Sequence, residues 1–150
     1  SDVFPVSARN NFNIEKVINR IIELTPESPP YFPKDQLTDK PERFFVNEKL
    51  REKILLYYDK EIPYSVEVVT DEFKEEESII KIRSKILVER ESQKGIIIGH
   101  KGVALKKIGT KARLDLEKFF GKKVFIELHV KVSKNWRSNS SQLKKFGYKQ

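Results

Sequence analysis

Hydrophobic and polar residues alternate in three stretches of the chain, with the two-residue period of a half-buried β-strand. The stretches cover residues 64–72, 80–88 and 124–132. In the third stretch, the apolar residues from Val124 to Val132 point one way, and Phe125, Glu127, His129 and Lys131 point the other. The pattern predicts a three-stranded sheet with one face in the core and the other face in water.

Apolar residues recur with helical spacing in four further stretches. These stretches are residues 14–24, 41–58, 92–98 and 103–119. Ser92 is a candidate N-cap, and Gly121 is a candidate stop signal. The residues predicted to face the core are Phe45, Val46, Leu50, Ile54 and Leu55 in the second helix and Leu105, Ile108, Ala112, Leu116 and Phe119 in the last. From residue 41 the order α-β-β-α-α-β predicts an α+β fold with the helices on one face of the sheet.

The beginning of the chain has a different organisation. Residues 3–6 are predicted to be the end of a buried strand, followed by a loop with an N-cap within residues 10–13 and by the first helix. One strand and one helix cannot bury their own apolar faces, so we expect the last βα unit of an α/β domain. Five of the seven prolines fall within residues 25–41, which predicts a stiff linker. The predicted boundaries are residues 1–25, 26–41 and 42–150.

A Gly-x-x-Gly motif, Gly99-His100-Lys101-Gly102, lies between the two consecutive helices. Two glycines around a basic pair allow another backbone to approach closely. The helix that follows begins with N–H groups that lack intrahelical partners, and such groups attract anions. The motif alone is more typical of a tight turn between two helices, in which the glycines are present only for steric reasons.

The distribution of charge favours the first of these interpretations. Residues 1–90 carry 15 Lys and Arg against 18 Asp and Glu, which gives −3, whereas residues 91–150 carry 15 against 4, which gives +11. The excess positive charge is therefore confined to the part that contains the glycine motif. A basic half of this kind indicates binding to nucleic acid or to an anionic membrane surface.

Several classes of function find no support in the sequence. The absence of cysteine excludes disulfide bonds, thiolate catalysis and Cys-based metal sites, and the two histidines are isolated. Neither a phosphate-binding loop motif nor a dinucleotide-binding motif occurs, so we expect no enzymatic activity and no cofactor in this chain. The chain contains no methionine, so we expect it to be a piece of a longer protein. It has no signal peptide pattern and no long apolar run, which predicts a cytoplasmic protein.

The residues around the glycine motif resemble a known family. The segment from Ile97 to Leu105 resembles the signature of a KH domain, and the order of elements is that of the type II form. Residues 29–39 and 88–99, Lys134-Asn135-Trp136-Arg137 and the ending Leu143 to Tyr148 are similar to the Era family of GTPases. Ser7-Ala8-Arg9 resembles the last guanine-recognition element of that GTPase domain. The resemblance implies a type II KH domain preceded by the last βα unit of a GTPase domain.

The resemblance also implies a ligand and a site. The ligand is the single-stranded 3′ end of 16S rRNA, bound during maturation of the 30S ribosomal subunit, while GTP and Mg²⁺ belong to the full-length parent. We expect Gly99 and Gly102 to admit the RNA backbone, and backbone groups of Ile86 to Val88 to read base edges. The other predicted RNA contacts are Lys101, Lys94, Lys106 and Lys107 for phosphates, His100 in the turn, and Ile97, Ile98 and Val103 as an apolar floor. Ile97 and Ile98 are equally suited to core packing.

A second class of function is a module that docks on a protein or a membrane. The segment from Lys134 to Lys149 mixes basic residues with Trp136, Leu143, Phe146 and Tyr148, as helices that seek membrane surfaces do. The same spacing is more typical of a helix that covers the KH domain. A peripheral contact with the inner membrane is the alternative expectation, and the oligomeric state stays open.

Overall fold

A computed structural model describes residues 2–29, 41–134 and 136 of the chain. These residues fall into two compact units, which divide the chain between Asp39 and Lys40. The predicted linker lies largely outside the described residues, and so does the basic tail apart from Lys134 and Trp136. The exact domain boundaries stay a prediction. In the part of the chain that is described, no helix is long and apolar enough to cross a membrane.

The first unit contains helix α1 (Ile14–Leu24), and none of the residues of this helix is buried. The strand predicted at residues 3–6 is wrong, because the only β-type pairing described nearby is an isolated bridge between Ser7 and Phe12. A strand needs a neighbour to pair with, and the described part of the unit offers none to these residues. Asn13 is the N-cap residue of α1, but its side chain makes no capping hydrogen bond. Its Nδ2 donates to the carbonyl of Pro5 (3.0 Å).

The second unit has the predicted order of elements. Its helices and strands are α2 (Glu42–Tyr57), β1 (Glu67–Glu75), β2 (Ile79–Val88), α3 (Glu91–Ile98), α4 (Val103–Phe120) and β3 (Lys123–Val132). Strand β2 is central, with β1 antiparallel on one side and β3 parallel on the other. Strand β1 begins later than predicted because Pro63–Ser65 forms a 3-10 turn. The predicted three-stranded α+β architecture is confirmed.

The core lies between the helices and one face of the sheet, as the alternation predicted. Its central members are Val46, Leu50, Ile54, Val68, Ile80, Ile82, Ile86, Val88, Ile97, Ile108, Ala112 and Leu116. The opposite face carries ion pairs in water: Arg83 contacts Glu127 at 3.1 Å and Glu72 at 3.3 Å, and Lys85 contacts Asp71 at 2.8 Å. The prediction of one buried and one wet face is confirmed.

Two apolar positions were assigned wrongly on the helices. Leu55 and Phe119 are 47% and 45% exposed. The α2 position that is buried instead is Lys53, whose ammonium group forms ion pairs with Asp115 of α4 and with Glu52. At the end of α4, Phe120 rather than Phe119 packs against the core. The two assignments are wrong by two residues on α2 and by one residue on α4, and the apolar spacing alone does not resolve either.

The start of α3 also differs from the prediction. The N-cap position is Arg90 and not Ser92, and the helix begins at Glu91. The side chain of Gln93 reaches back, and its Oε1 accepts hydrogen bonds from the backbone N–H groups of Glu89 and Arg90, both at 3.0 Å. Gln93 is thus the N3 residue of a capping box, whose side chain satisfies the backbone N–H of the N-cap residue.

Candidate nucleic-acid interface

The glycine motif forms a tight turn between α3 and α4. Gly99 and Gly102 have φ angles of +70° and +78°, and Lys101 between them is also left-handed at +49°. The N–H of Gly99 donates to the carbonyl of Gly95 at 2.9 Å and closes α3, while the N–H of Gly102 donates to the carbonyl of Gly99 at 3.2 Å. A backbone with three positive φ angles in four residues needs glycine at most of them.

The two glycines serve different purposes. A Cβ atom on Gly99 would lie 2.6 Å from the Cβ of Ala104, so this glycine allows the turn to pack against the first turn of α4. A Cβ atom on Gly102 would meet nothing within 4 Å. Gly102 therefore leaves open space at the start of α4, which is the place where another backbone can approach.

The turn presents positive charge next to a helix N-terminus. His100 and Lys101 are exposed, and no side chain among the described residues caps α4. The first-turn N–H groups of a helix lack intrahelical acceptors and carry partial positive charge. Together these groups form a local environment that favours an anion such as a phosphate.

An open groove of about 400 Å³ begins at Gly102 and runs between α4 and β3. We call it the α4–β3 groove. Its walls on α4 are Leu105, Lys106, Gly109, Thr110 and Arg113, and its walls on β3 are Phe125, Ile126 and Leu128. The groove thus has an apolar floor with two cationic side chains at its border, and one end opens at the glycine turn.

The lysines predicted to contact phosphate are dispersed around this site. Lys106 lines the groove, and Lys101 stands in the turn. Lys107 lies elsewhere on α4, where its ammonium is 4.4 Å from the centroid of the Tyr57 ring. Lys94 on α3 is within 3.9 Å of the Glu91 carboxylate. Lys106 is therefore the predicted lysine that the fold places along the groove.

The residues of the predicted apolar floor differ in how much of their surface is accessible. Ile97 is completely buried and belongs to the core, so its side chain offers no surface to a ligand. Ile98 is half-buried, and Val103 is 65% exposed beside the turn. The exposed isoleucine of α3 is Ile96, with 52% of its surface accessible. The floor of the groove is formed instead by Leu105, Ile126 and Leu128, two of which come from β3.

The strand predicted to read base edges is paired on both of its sides. Ile86 and Leu87 of β2 pair with β1 on one side and β3 on the other, and the carbonyl of Val88 accepts the N–H of Ser133 at 2.7 Å. Their backbone groups are therefore engaged within the sheet. The edge strand beside the groove is β3, which the alternation alone did not indicate because it carries no information on strand order.

Tyr58 supports the turn from outside the motif. It follows the last residue of α2, and its hydroxyl donates to the carbonyl of Ile97 at 2.6 Å. That carbonyl belongs to the last turn of α3, where helix carbonyls lack intrahelical partners. Burial raises the pKa of the Tyr58 hydroxyl to about 12. The phenol therefore stays protonated and able to donate well above neutral pH.

Replacing Tyr58 by Phe should lower stability and weaken its dependence on alkaline pH. Loss of the hydrogen bond should cost about 1 kcal/mol at neutral pH. Because the pKa is raised in the folded state, this contribution is complete below the ordinary tyrosine pKa of 10.0 and is lost as the pH rises towards about 12. Urea unfolding at about pH 8 and about pH 11 should therefore show a smaller alkaline loss for Tyr58→Phe than for the unmodified chain.

The matched control is Tyr57→Phe, which removes the neighbouring hydroxyl and keeps the aromatic ring beneath Lys107. It should retain the alkaline behaviour of the unmodified chain. An identical loss of stability at high pH in Tyr58→Phe and in the unmodified chain would contradict this role of Tyr58.

The predicted guanine-recognition residues lie in the first unit. Ser7, Ala8 and Arg9 belong to a short turn in which Ser7 and Phe12 exchange backbone hydrogen bonds of 3.2 and 3.0 Å. Ala8 and Arg9 are exposed, and Ser7 is half-buried. Their contact with a nucleotide stays a prediction. Across the described residues, no group of three or more His, Asp or Glu side chains is arranged to hold a metal ion.

Comparisons with known proteins agree with this fold. The KH domain family matches residues 61–137 of the chain, which include α3, the glycine turn, α4 and β3. GTPase Era of Syntrophus aciditrophicus is 50% identical over 150 residues, which cover 99% of this chain and 49% of that protein. GTPase Era of Coxiella burnetii is 45% identical over 148 residues, which cover 99% of this chain and 50% of the relative.

Two solved structures extend the similarity to three dimensions. A single-residue variant of Aquifex aeolicus Era bound to GDP·AlF4⁻ superposes with a TM-score of 0.88 at 37% identity, covering 100% of this chain and 51% of that one. Era in complex with MgGDPNP and nucleotides 1506–1542 of 16S ribosomal RNA superposes with a TM-score of 0.87, also at 37% identity, covering 100% of this chain and 51% of that one. The chain spans about half the length of these relatives. It belongs to the KH domain family, and over its whole length it is related to the C-terminal region of Era-family GTPases.

Proposed function

We propose that this chain binds single-stranded RNA along the α4–β3 groove, with the RNA backbone held at the Gly99–Gly102 turn. The observation that carries the proposal is that the groove opens at this turn, with Gly102 at its mouth. An anion-binding turn and an apolar groove therefore form one continuous surface. A single strand needs both, because its phosphates and its unstacked bases are bound by different chemistry.

The phosphate part of the site consists of backbone and charge. Gly102 leaves room for a sugar-phosphate backbone, and the N-terminus of α4 provides N–H groups. Lys101 in the turn and Lys106 along the groove contribute positive charge, while His100 is an exposed neighbour. These contacts position a strand without selecting its bases.

The base part of the site is the floor and the edge of the groove. Leu105, Ile126 and Leu128 are half-buried and apolar, so they can cover the faces of unstacked bases. Among the strands that the structure describes, β3 lies at the edge of the sheet, where outward backbone groups can hydrogen-bond base edges. In this proposal strand β3 takes the role predicted for β2.

The relatives support a particular RNA. One Era structure contains nucleotides 1506–1542 of 16S ribosomal RNA, and its matching part superposes on this chain with a TM-score of 0.87. We propose the single-stranded 3′ end of 16S rRNA as the ligand, with a role in maturation of the 30S subunit. In a protein of the relatives' full length, GTP and Mg²⁺ would be bound outside the KH domain, and the protein would act in the cytoplasm, where the ribosomal subunit is assembled.

The test is a salt-dependent binding measurement on Lys106. Fluorescence anisotropy with a 16S 3′-end oligonucleotide should show that Lys106→Gln weakens binding about three- to tenfold. The slope of log K against log salt should fall in magnitude by about 0.7, because one phosphate contact of a single strand is lost.

The matched control is Lys118→Gln, at the other end of the same helix and outside the groove lining. This variant should leave both the affinity and the salt slope nearly unchanged. Equal losses in the two variants, or equally tight binding of a duplex of the same sequence, would contradict a site in the groove and indicate general electrostatic attraction.

A further inference from the structure

We propose that Phe125 is a stacking platform for one nucleobase of the bound strand, at the end of the α4–β3 groove away from the glycine turn. This inference rests on the proposed RNA binding and adds a base subsite to it. The ligand chemistry is an unstacked nucleobase of single-stranded RNA.

Phe125 is unusual among the neighbours that share its strand face. The alternation of β3 places it with Glu127, His129 and Lys131, all of which are polar. Phe125 is the apolar member of this exposed face, and with 54% of its surface accessible, much of its ring stays in contact with water. A single exposed apolar residue is ordinary on a protein surface. Its location is what gives this one a function.

Phe125 lines the α4–β3 groove from the edge strand, together with Arg113 and Thr110 on the opposite wall. Gly102 and Arg113 are eleven residues apart, which is about 16 Å along α4. A strand held by its phosphates at the turn therefore reaches Phe125 only after several nucleotides. The turn and the aromatic ring are suited to different parts of one strand.

The other phenylalanine rings described in the second unit contact one another. Phe45 stacks on Phe119 at 5.0 Å between centroids, and Phe73 contacts Phe120 at 5.6 Å. Among the described residues, no aromatic ring contact involves Phe125. Its ring is therefore available to a base, and stacking of this kind contributes to binding with little dependence on base identity.

The position of Phe125 is held by the residue before it. The N–H of Val124 donates to Glu117 Oε1 at 3.1 Å, and the same oxygen accepts from Arg113 at 2.9 Å. The hydrogen bond from Val124 lowers the pKa of Glu117, with a contribution from the charge of Arg113, so the carboxylate is ionised at neutral pH. Glu117 thus ties the start of β3, and the backbone directly before Phe125, to α4.

The test is a double-substitution cycle between protein and RNA. Phe125→Leu keeps an apolar side chain and removes the aromatic face, and should weaken binding of the 16S 3′-end oligonucleotide about fivefold or more. A set of oligonucleotides, each with one abasic site, should contain one position at which base removal weakens binding to the unmodified chain by a similar factor. Removal of that same base should have almost no further effect on Phe125→Leu.

The matched control is Phe44→Leu, which changes a phenylalanine that is 40% exposed on α2 and outside the groove lining. Its RNA affinity should equal that of the unmodified chain. As a second measurement, Phe125→Trp should bind RNA at least as tightly. The fluorescence that the new tryptophan adds to that of Trp136, measured against the unmodified chain, should be quenched by the intact oligonucleotide but not by the one with the critical abasic site.

The outcomes separate the two proposals. Additive effects of Phe125→Leu with every abasic site, while the unmodified chain still binds RNA, would overturn the stacking platform and leave the proposed function standing. Absence of RNA binding by the unmodified chain would overturn both. If the circular dichroism spectrum shows that Phe125→Leu is unfolded, the fluorescence of Phe125→Trp tests the stacking platform instead. Equal quenching by intact and abasic RNA would then overturn the platform.

Discussion

Gly102→Asp is expected to weaken binding to the 16S 3′-end oligonucleotide at least about tenfold, which corresponds to about 1.4 kcal/mol. The substitution places a side chain and a negative charge in the open space at the mouth of the α4–β3 groove. Two like charges about 4 Å apart near a protein surface repel each other by about 4 kcal/mol. A tenfold loss therefore needs only part of that repulsion, and fluorescence anisotropy measures it directly.

The matched control is Gly121→Asp. Gly121 also has a positive φ, +65° against +78°, and a Cβ atom there also meets nothing within 4 Å. The two glycines flank α4 and are nineteen residues apart, or about 28 Å along the helix. Both variants carry the same added charge and a similar backbone strain of about 1–2 kcal/mol, but only Gly102→Asp changes the proposed phosphate path.

Comparable losses of affinity in the two variants would mean that charge or strain anywhere on α4 weakens binding, and would contradict a site at the turn. Unchanged affinity in Gly102→Asp would remove the turn from the site altogether. Gly99 is unsuitable for this experiment because a Cβ atom there would lie 2.6 Å from that of Ala104. A substitution at Gly99 would alter the packing of the turn and not only its access to RNA.

Ile97→Ala is expected to lower the free energy of unfolding by about 2–5 kcal/mol, since the side chain is completely buried in the core. The adjacent substitution Ile96→Ala is the matched control, because that isoleucine is 52% exposed on the same helix. Its effect should stay within about 0.5 kcal/mol. Urea unfolding followed by circular dichroism measures both variants.

The same pair decides whether Ile97 contacts a ligand directly. If Ile97→Ala kept its stability and lost RNA affinity, Ile97 would be an accessible part of the site and its burial in the free chain would be incidental. If it is destabilised while Ile96→Ala is not, the apolar sequence before the glycine motif contributes to the core through Ile97. Any effect on RNA then acts through the position of the turn.

Much of the fold could be predicted from the sequence because its elements are amphipathic. Residues 80–88 and 124–132 alternate, and most of their apolar members face the core. The exceptions are Phe125, which is exposed on the other face, and Ser84, which is a buried polar residue. The order of elements followed from the positions of these patterns, and the spacing of Gly99 and Gly102 was enough to indicate the turn. These are local properties, since the period of apolar residues depends only on the geometry of one helix or one strand.

The groove could not be predicted in the same way. Periodicity indicates which face of an element is apolar, but not which neighbour covers that face. Three features of the site depend on how α4 crosses the sheet. They are which of Ile96 and Ile97 is buried, the placement of Lys106 in the groove and of Lys107 beside Tyr57, and the proposed role of Phe125.

The sequence by itself determined the three amphipathic strands, the helices around them and the glycine turn within a basic half of the chain. The tertiary structure decided that β3, and not β2, borders the groove, because β2 pairs on both sides and β3 is left at the edge. Strand pairing joins residues far apart in the chain, such as Ile86 with Val68 and Val130. Such long-range contacts are the physical reason why the site appeared only once the elements were packed together.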